Sequence, residues 1–225
     1  MTHPSLPCLK KSSAALRSLM FCAALSLSAC AAVPSGQPHP YEGYLKQNEL
    51  KLPDPDDFEH CRGYGCAIRD QVSLTPREWK KITAPFQKSR DAESERKAIA
   101  QAIGIFESIV GPKTGTADDV AGTFGKVGTF QLDCVDESIN TTLYLAMLEK
   151  KSLLKYHTVS SPTTRTPFTG MAQGRFWPHR SAVIYETTTN SAYAVDSWFR
   201  DNGAPADIVA ITAWLYGWGP QQDKT

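Results

Sequence analysis

The chain has 225 residues with 24 Lys and Arg against 23 Asp and Glu, a formal charge of +1 and an ordinary apolar fraction of 41%. That is enough chain for one domain with a sizeable core. The near-neutral balance argues against a nucleic-acid partner, which needs a basic face.

The first segment reads as a targeting signal rather than as part of a fold. Lys10, Lys11 and Arg17 precede a short apolar run, Leu19–Leu27, too short to span a bilayer stably. The run ends in Leu27-Ser28-Ala29-Cys30, which resembles the lipobox of bacterial lipoproteins. That resemblance implies a signal peptide over 1–29, a lipid on Cys30, and attachment to the cell envelope. Ala31 rather than an aspartate follows Cys30, so in a Gram-negative cell the expectation is the outer membrane, facing the periplasm. Cleavage there removes three cations and no acid, taking the formal charge from +1 to −2. No other segment is long and apolar enough to cross a membrane, so the lipid is the only membrane contact implied.

Residues 30–57 carry five prolines among polar residues and are expected to form a semi-extended tether. The folded domain is expected over 58–225. Its first landmark is CRGYGC, where Gly63 and Gly65 allow a tight turn between Cys61 and Cys66. In an oxidising compartment this spacing favours a disulfide. A metal pair recruiting His60 is the alternative, although no second Cys/His pair stands at ligand spacing.

Thr75-Pro76-Arg77-Glu78 is a helix start, with a Thr cap, Pro at the first position and Glu three residues after the cap; Pro85 limits this helix. A second helix is predicted from about Asp91 to Val110, burying Ile99, Ala102, Ile103, Phe106 and Val110, with Gly111-Pro112 as its stop. Residues 111–130, rich in Gly and Thr, should form a loop. A third helix over about 134–149 buries Ile139, Leu143, Ala146 and Met147. Leu153–Val159, Ser181–Glu186 and Ala192–Trp198 are β-branched or aromatic runs expected as strands. A last helix is expected over about 205–216, packing Ile208, Ile211, Trp214 and Leu215. Helices followed by an antiparallel sheet make an α+β domain.

With Cys8 and Cys22 leaving in the signal segment, Cys134 is the one cysteine left without a disulfide or lipid role. Asp133 can cap the helix, placing Cys134 at the first helical residue, where free N–H groups and the dipole favour a thiolate. Asp136 and Glu137 oppose this if they face the sulfur. The polar stretch TTTNS predicts a hairpin pairing residues whose numbers sum to 377. His179 and Asp196 then become diagonal neighbours on one sheet face, and a carboxylate can hold one imidazole nitrogen while the other serves a thiol. His157 is the rival base, without an acid at comparable downstream spacing.

LDCVDE, PHRSAVIYE and YAVDSW, in that order over roughly residues 70–200, resemble the transglutaminase-like superfamily, and more narrowly bacterial transglutaminase-like cysteine proteinases. The resemblance implies a papain-related α+β core with the cysteine helix packed on an antiparallel sheet. It implies Cys134 as nucleophile, His179 as general base and then acid, and Asp196 as the residue orienting the imidazole. The Cys134 N–H would contribute to an oxyanion hole; Gln131 stands closer to the cysteine than a papain-type glutamine does. Some family members bind calcium through acids on both sides of the nucleophile. Here Asp133 matches and Val135 does not, so the expectation is no cofactor. The function implied is an exported thiol hydrolase of amide bonds acting on a protein or peptide substrate in the envelope. Protein-glutamine acyl transfer and a non-catalytic lipoprotein that binds an envelope partner are the alternatives.

Overall fold

The computed structural model describes residues 39–123, 128–168 and 177–220. The signal segment, the lipidation reading at Cys30 and residues 124–127 of the Gly/Thr loop lie outside them. The elements are α1 (Pro40–Gln47), β1 (Phe58–Arg62), β2 (Ile68–Val72), α2 (Pro76–Thr83), a 3₁₀ turn (Ala84–Lys88), α3 (Ala92–Thr114), α4 (Cys134–Lys150), β3 (His157–Arg165), β4 (His179–Glu186), β5 (Ala192–Asp196), β6 (Asp207–Ala210) and α5 (Ile211–Leu215). β1 and β2 form an antiparallel hairpin, and β3-β4-β5-β6 form a four-stranded antiparallel sheet. The fold is α+β. Among the described residues no helix is long and apolar enough to cross a membrane.

Helix α4 is the central element. It packs against β3 and β4 on one side and against β1 and α3 on another, so every residue from Asp136 to Leu148 is buried. Its predicted stripe is in the core, joined by Tyr144, which stacks on Phe106 of α3 with ring centroids 4.3 Å apart. The α3 stripe Ile99, Ala102, Ile103, Phe106 and Val110 is fully buried. Asp91 caps α3 by accepting from Ser94 N at 2.7 Å, and Thr75 caps α2 within the expected capping box with Glu78.

Several boundaries differ from the sequence expectations. The tether does not run to residue 57. Pro40 starts α1, whose Tyr41 and Leu45, one turn apart, enter the common core, and the helix lies against β3. Gly111-Pro112 does not stop α3, which continues to Thr114 and ends at Gly115, φ +76°. Proline in the last turn forfeits one hydrogen bond without breaking the turns before it, and the left-handed glycine is the true stop.

The strand expected at Leu153 begins at His157. The amides of Lys155 and Tyr156 donate instead to the buried Glu95 carboxylate, at 2.7 and 3.0 Å. Past Val159 the strand continues to Arg165 through an irregularity between Ser160 and Thr163, next to Pro162, which has no ladder donor. The helix expected over 205–216 is a strand and a short helix. Asp207–Ala210 pairs with β5, covering a polar edge that would otherwise be open, and only Ile211–Leu215 is helical.

Candidate active site

The Cys61–Cys66 disulfide is formed. His60 is turned away from it into the core, its Nδ1 3.1 Å from Tyr144 Oη. Burial lowers its pKa to about 4, so it stays neutral. The metal pair considered from sequence is therefore a disulfide. Among the described residues no group of three or more His, Cys, Asp or Glu is placed to hold a metal ion.

The β4–β5 hairpin has the register expected from TTTNS: Ala182 faces Val195 and Val183 faces Ala194. His179 opens β4 and Asp196 closes β5, both buried, with His179 Nε2 2.7 Å from Asp196 Oδ2. A carboxylate offers only acceptors, so Nε2 carries the hydrogen. Among the described residues the other ring nitrogen, Nδ1, is buried and has no hydrogen-bond partner, the Cys134 sulfur included. Trp198, Phe199 and Trp214 surround the imidazole at centroid distances of 4.8, 5.0 and 5.5 Å, fixing its orientation and excluding water.

Asp196 Oδ2 also accepts from Trp214 Nε1 at 2.7 Å. Sequence reading placed Trp214 only as packing. The usable signal was general: a fully buried indole N–H nearly always finds an acceptor.

Cys134 is the first residue of α4, half-buried and free. Asp133 is the cap, accepting from Val135 N at 3.0 Å and Asp136 N at 2.8 Å. The backbone N–H of Arg180, the residue after His179, is near enough to favour the thiolate and lower the thiol pKa. Among the described residues the Cys134 N–H itself meets no acceptor.

The surrounding acids are directed elsewhere. Asp136 accepts from Tyr64 N and Cys66 N in the disulfide loop, at 2.8 and 2.6 Å. Glu137 Oε2 takes the hydroxyl of Ser197, the neighbour of Asp196, at 2.5 Å. The acids that do act on the thiol are Asp133 and Asp196.

The dipole does not make Cys134 a resting thiolate. Burial pushes the thiol up to about 11; Asp133 and Asp196 add to the rise, and the Arg180 N–H and guanidinium oppose it. Desolvation outweighs a helix terminus here because it penalises the whole ionic charge, whereas the terminus contributes only partial charges.

Two other sequence candidates stand apart from this site. His157 Nδ1 donates to Glu95 Oε1 (2.9 Å), its Nε2 accepts from Arg96 Nη1 at 3.2 Å, and the residue pairs across the sheet with Glu186. It thus sits at the opposite end of β4 from His179. The Gln131 side chain is consumed by the 118–123 loop: Nε2 donates to Asp118 O, and Oε1 accepts from Val120 N and Thr123 Oγ1.

Comparison with protein-family models, with curated proteins and with solved structures returns no match.

Proposed function

We propose that the protein is a thiol hydrolase that cleaves amide bonds of proteins or peptides through Cys134, His179 and Asp196. The observation that carries this is the buried His179 ring, held through Nε2 by Asp196 while Nδ1 has no partner among the described residues, with the next residue, Arg180, acting on the Cys134 thiol. Buried His60 also leaves one ring nitrogen unpartnered among the described residues, and what sets His179 apart is the carboxylate on its other nitrogen.

With the thiol raised to about 11, attack requires a base. His179 Nδ1 takes the S–H proton as the sulfur adds to the substrate carbonyl. The Cys134 N–H, at the helix start, is the donor for the developing oxyanion. His179 then gives its proton to the departing amine, leaving a thioester on Cys134. Water, deprotonated by the same nitrogen, releases the acid. Asp196 keeps Nδ1 presented and offsets the charge of the imidazolium, and Trp214 fixes the carboxylate. The helix bearing the nucleophile against an antiparallel sheet bearing His and Asp accords with the papain-related core that the transglutaminase-like resemblance implies. The lipobox at Cys30 supports attachment to the outer membrane and substrates in the envelope.

The same acyl-enzyme passed to an amine instead of water is the transglutaminase alternative. The test is mass spectrometry on envelope proteins incubated with the enzyme and a fluorescent primary amine. New termini without amine incorporation are expected. Amine incorporation without cleavage assigns acyl transfer. Neither event in wild type beyond that of Cys134→Ala refutes both and leaves a binding lipoprotein.

A further inference from the structure

Resting on that assignment of the nucleophile, we propose that the Cys61–Cys66 disulfide loop positions Cys134 through Asp136, so that the site is competent when the loop is oxidised and loses competence when it is reduced.

Four consecutive residues inside the ring, Gly63, Tyr64, Gly65 and Cys66, have left-handed φ values of +83°, +70°, +69° and +60°. Glycine adopts this conformation freely, but Tyr64 and Cys66 do so at a conformational cost that their surroundings must offset. The result is a concave run of amides. Tyr64 N and Cys66 N converge on the two oxygens of Asp136 at 2.8 and 2.6 Å, and Asp133 N reaches Oδ2 at 3.3 Å. Such a nest stabilises a carboxylate.

One helical turn on, Asn140 closes a second pair of bonds with the same ring. Its Oδ1 accepts from Cys61 N at 2.7 Å and its Nδ2 donates to Cys61 O at 2.9 Å. Asp136 and Asn140 lie four residues apart on one face of α4. The nucleophile is two residues before Asp136. The disulfide ring therefore grips the first turn of the catalytic helix from the side away from the histidine strand.

Cutting the ring removes the constraint that keeps Tyr64 and Cys66 left-handed. Their amides then turn off Asp136, which is left charged and buried with one backbone donor. The first turn of α4 loosens, and with it the position of the sulfur relative to the histidine strand. Cys61 is fully buried, whereas Cys66 is half-buried beside the exposed Gly65, so a reductant approaches from the Cys66 side. The step is thiol–disulfide exchange with a dithiol. One thiolate of the reductant attacks the Cys66 sulfur and expels Cys61 as a thiolate. The second thiolate closes the reductant's own disulfide and expels Cys66, and both cysteines take up protons.

The test compares purified full-length protein, oxidised or treated with dithiothreitol and freed of it, with Cys61→Ser/Cys66→Ser and Asp136→Ala. Cys134 alkylation by iodoacetamide is followed peptide by peptide, beside amide hydrogen exchange. Reduced wild type and the double serine variant are expected to label Cys134 about 10- to 100-fold more slowly. Exchange should quicken at 134–137 and 64–66 but not in β4 and β5. In Asp136→Ala labelling is expected to be slow already, with no further loss on reduction. An unchanged Cys134 rate after reduction overturns the proposal. So does faster exchange throughout β4 and β5, which makes the disulfide a general staple, or a reduction effect as large in Asp136→Ala as in wild type. If oxidised wild type labels at a rate independent of His179, the hydrolase assignment fails, and the redox comparison still reads the coupling.

Discussion

Glu107, Asp119 and Glu137 meet in the interior behind the site, from α3, the following loop and α4. Among the described residues no cation pairs with any of the three. Burial pushes Glu107 up to about 8 and Asp119 up to about 7, and holds Glu137 well above the carboxylate range; neighbouring charges add to this, Asp119 on Glu107, Glu107 and Asp119 on Glu137, and Asp136 and Asp201 on Asp119. Backbone N–H donors, Gly203 to Glu107 and Leu132 to Asp119, the Ser197 hydroxyl, and the Glu137 side chain beside Asp119 oppose it. Each folded pKa exceeds its unfolded value, so the stabilisation is complete below about pH 4.5 and is lost as pH rises through about 8. His60 works the other way. Its folded pKa is lowered from 6.5 to about 4, so its contribution is present above pH 6.5 and lost as pH falls through 4. The interval from pH 6.5 to 8 therefore reads the carboxyl groups without His60.

Across that interval one protonated carboxyl contributes about 2 kcal/mol, at 1.36 kcal/mol per pH unit. Glu107→Gln preserves shape and the Gly203 contact while removing one titrating group. Urea unfolding at pH 6.5 and 8.0 should show wild type losing about 4 kcal/mol and the variant about 1–2 kcal/mol less. With a slope near 2 kcal/mol/M, that difference moves the midpoint by about 1 M or less. An equal loss in both proteins would mean that Glu107 is ionised in the native state, and the buried-acid account would fall.

Three further outcomes are expected. Trp214→Phe removes the indole donor to Asp196 and should lower stability by about 2 kcal/mol in urea unfolding; a change below about 0.5 kcal/mol contradicts that bond. Gly104→Ala should destabilise by about 1–3 kcal/mol despite better helix propensity, because its Cβ would lie 2.7 Å from the carbonyl oxygens of Gly203 and Ala204. A higher melting temperature would contradict that close approach. Asn140→Ala strips two buried bonds from Cys61 and should cost about 2–4 kcal/mol, with faster exchange at the Cys61 amide; full protection there would refute its role.

The parts of the site legible in the sequence rest on short-range rules. A period of two around a polar turn places His179 beside Asp196, an Asp before an apolar period of 3.6 caps α4, and two glycines between cysteines permit their closure. What was not legible depends on partners distant in the chain. The 40–47 segment looks like linker because its prolines dominate, yet Pro40 is a helix start and Tyr41 and Leu45 find a core made by β3. Residues 208 and 211 share an apolar spacing that suits a helix, but β5 recruits the first as a strand. Lys155 and Tyr156 are apolar-flanked and strand-like, and a buried acid 60 residues earlier claims their amides. Asp136 offers the same lesson: next to a cysteine it suggests repulsion, whereas the disulfide loop holds it in a ring of N–H groups.

The most direct measurement is the rate of Cys134 alkylation against pH in wild type and His179→Ala. With the imidazole gone, the rate should climb without a plateau toward the thiol's own value near 11. Wild type should exceed it by at least about tenfold at pH 7, the usual minimum for a positioned base. Coincident curves would show that the ring does not act on the sulfur.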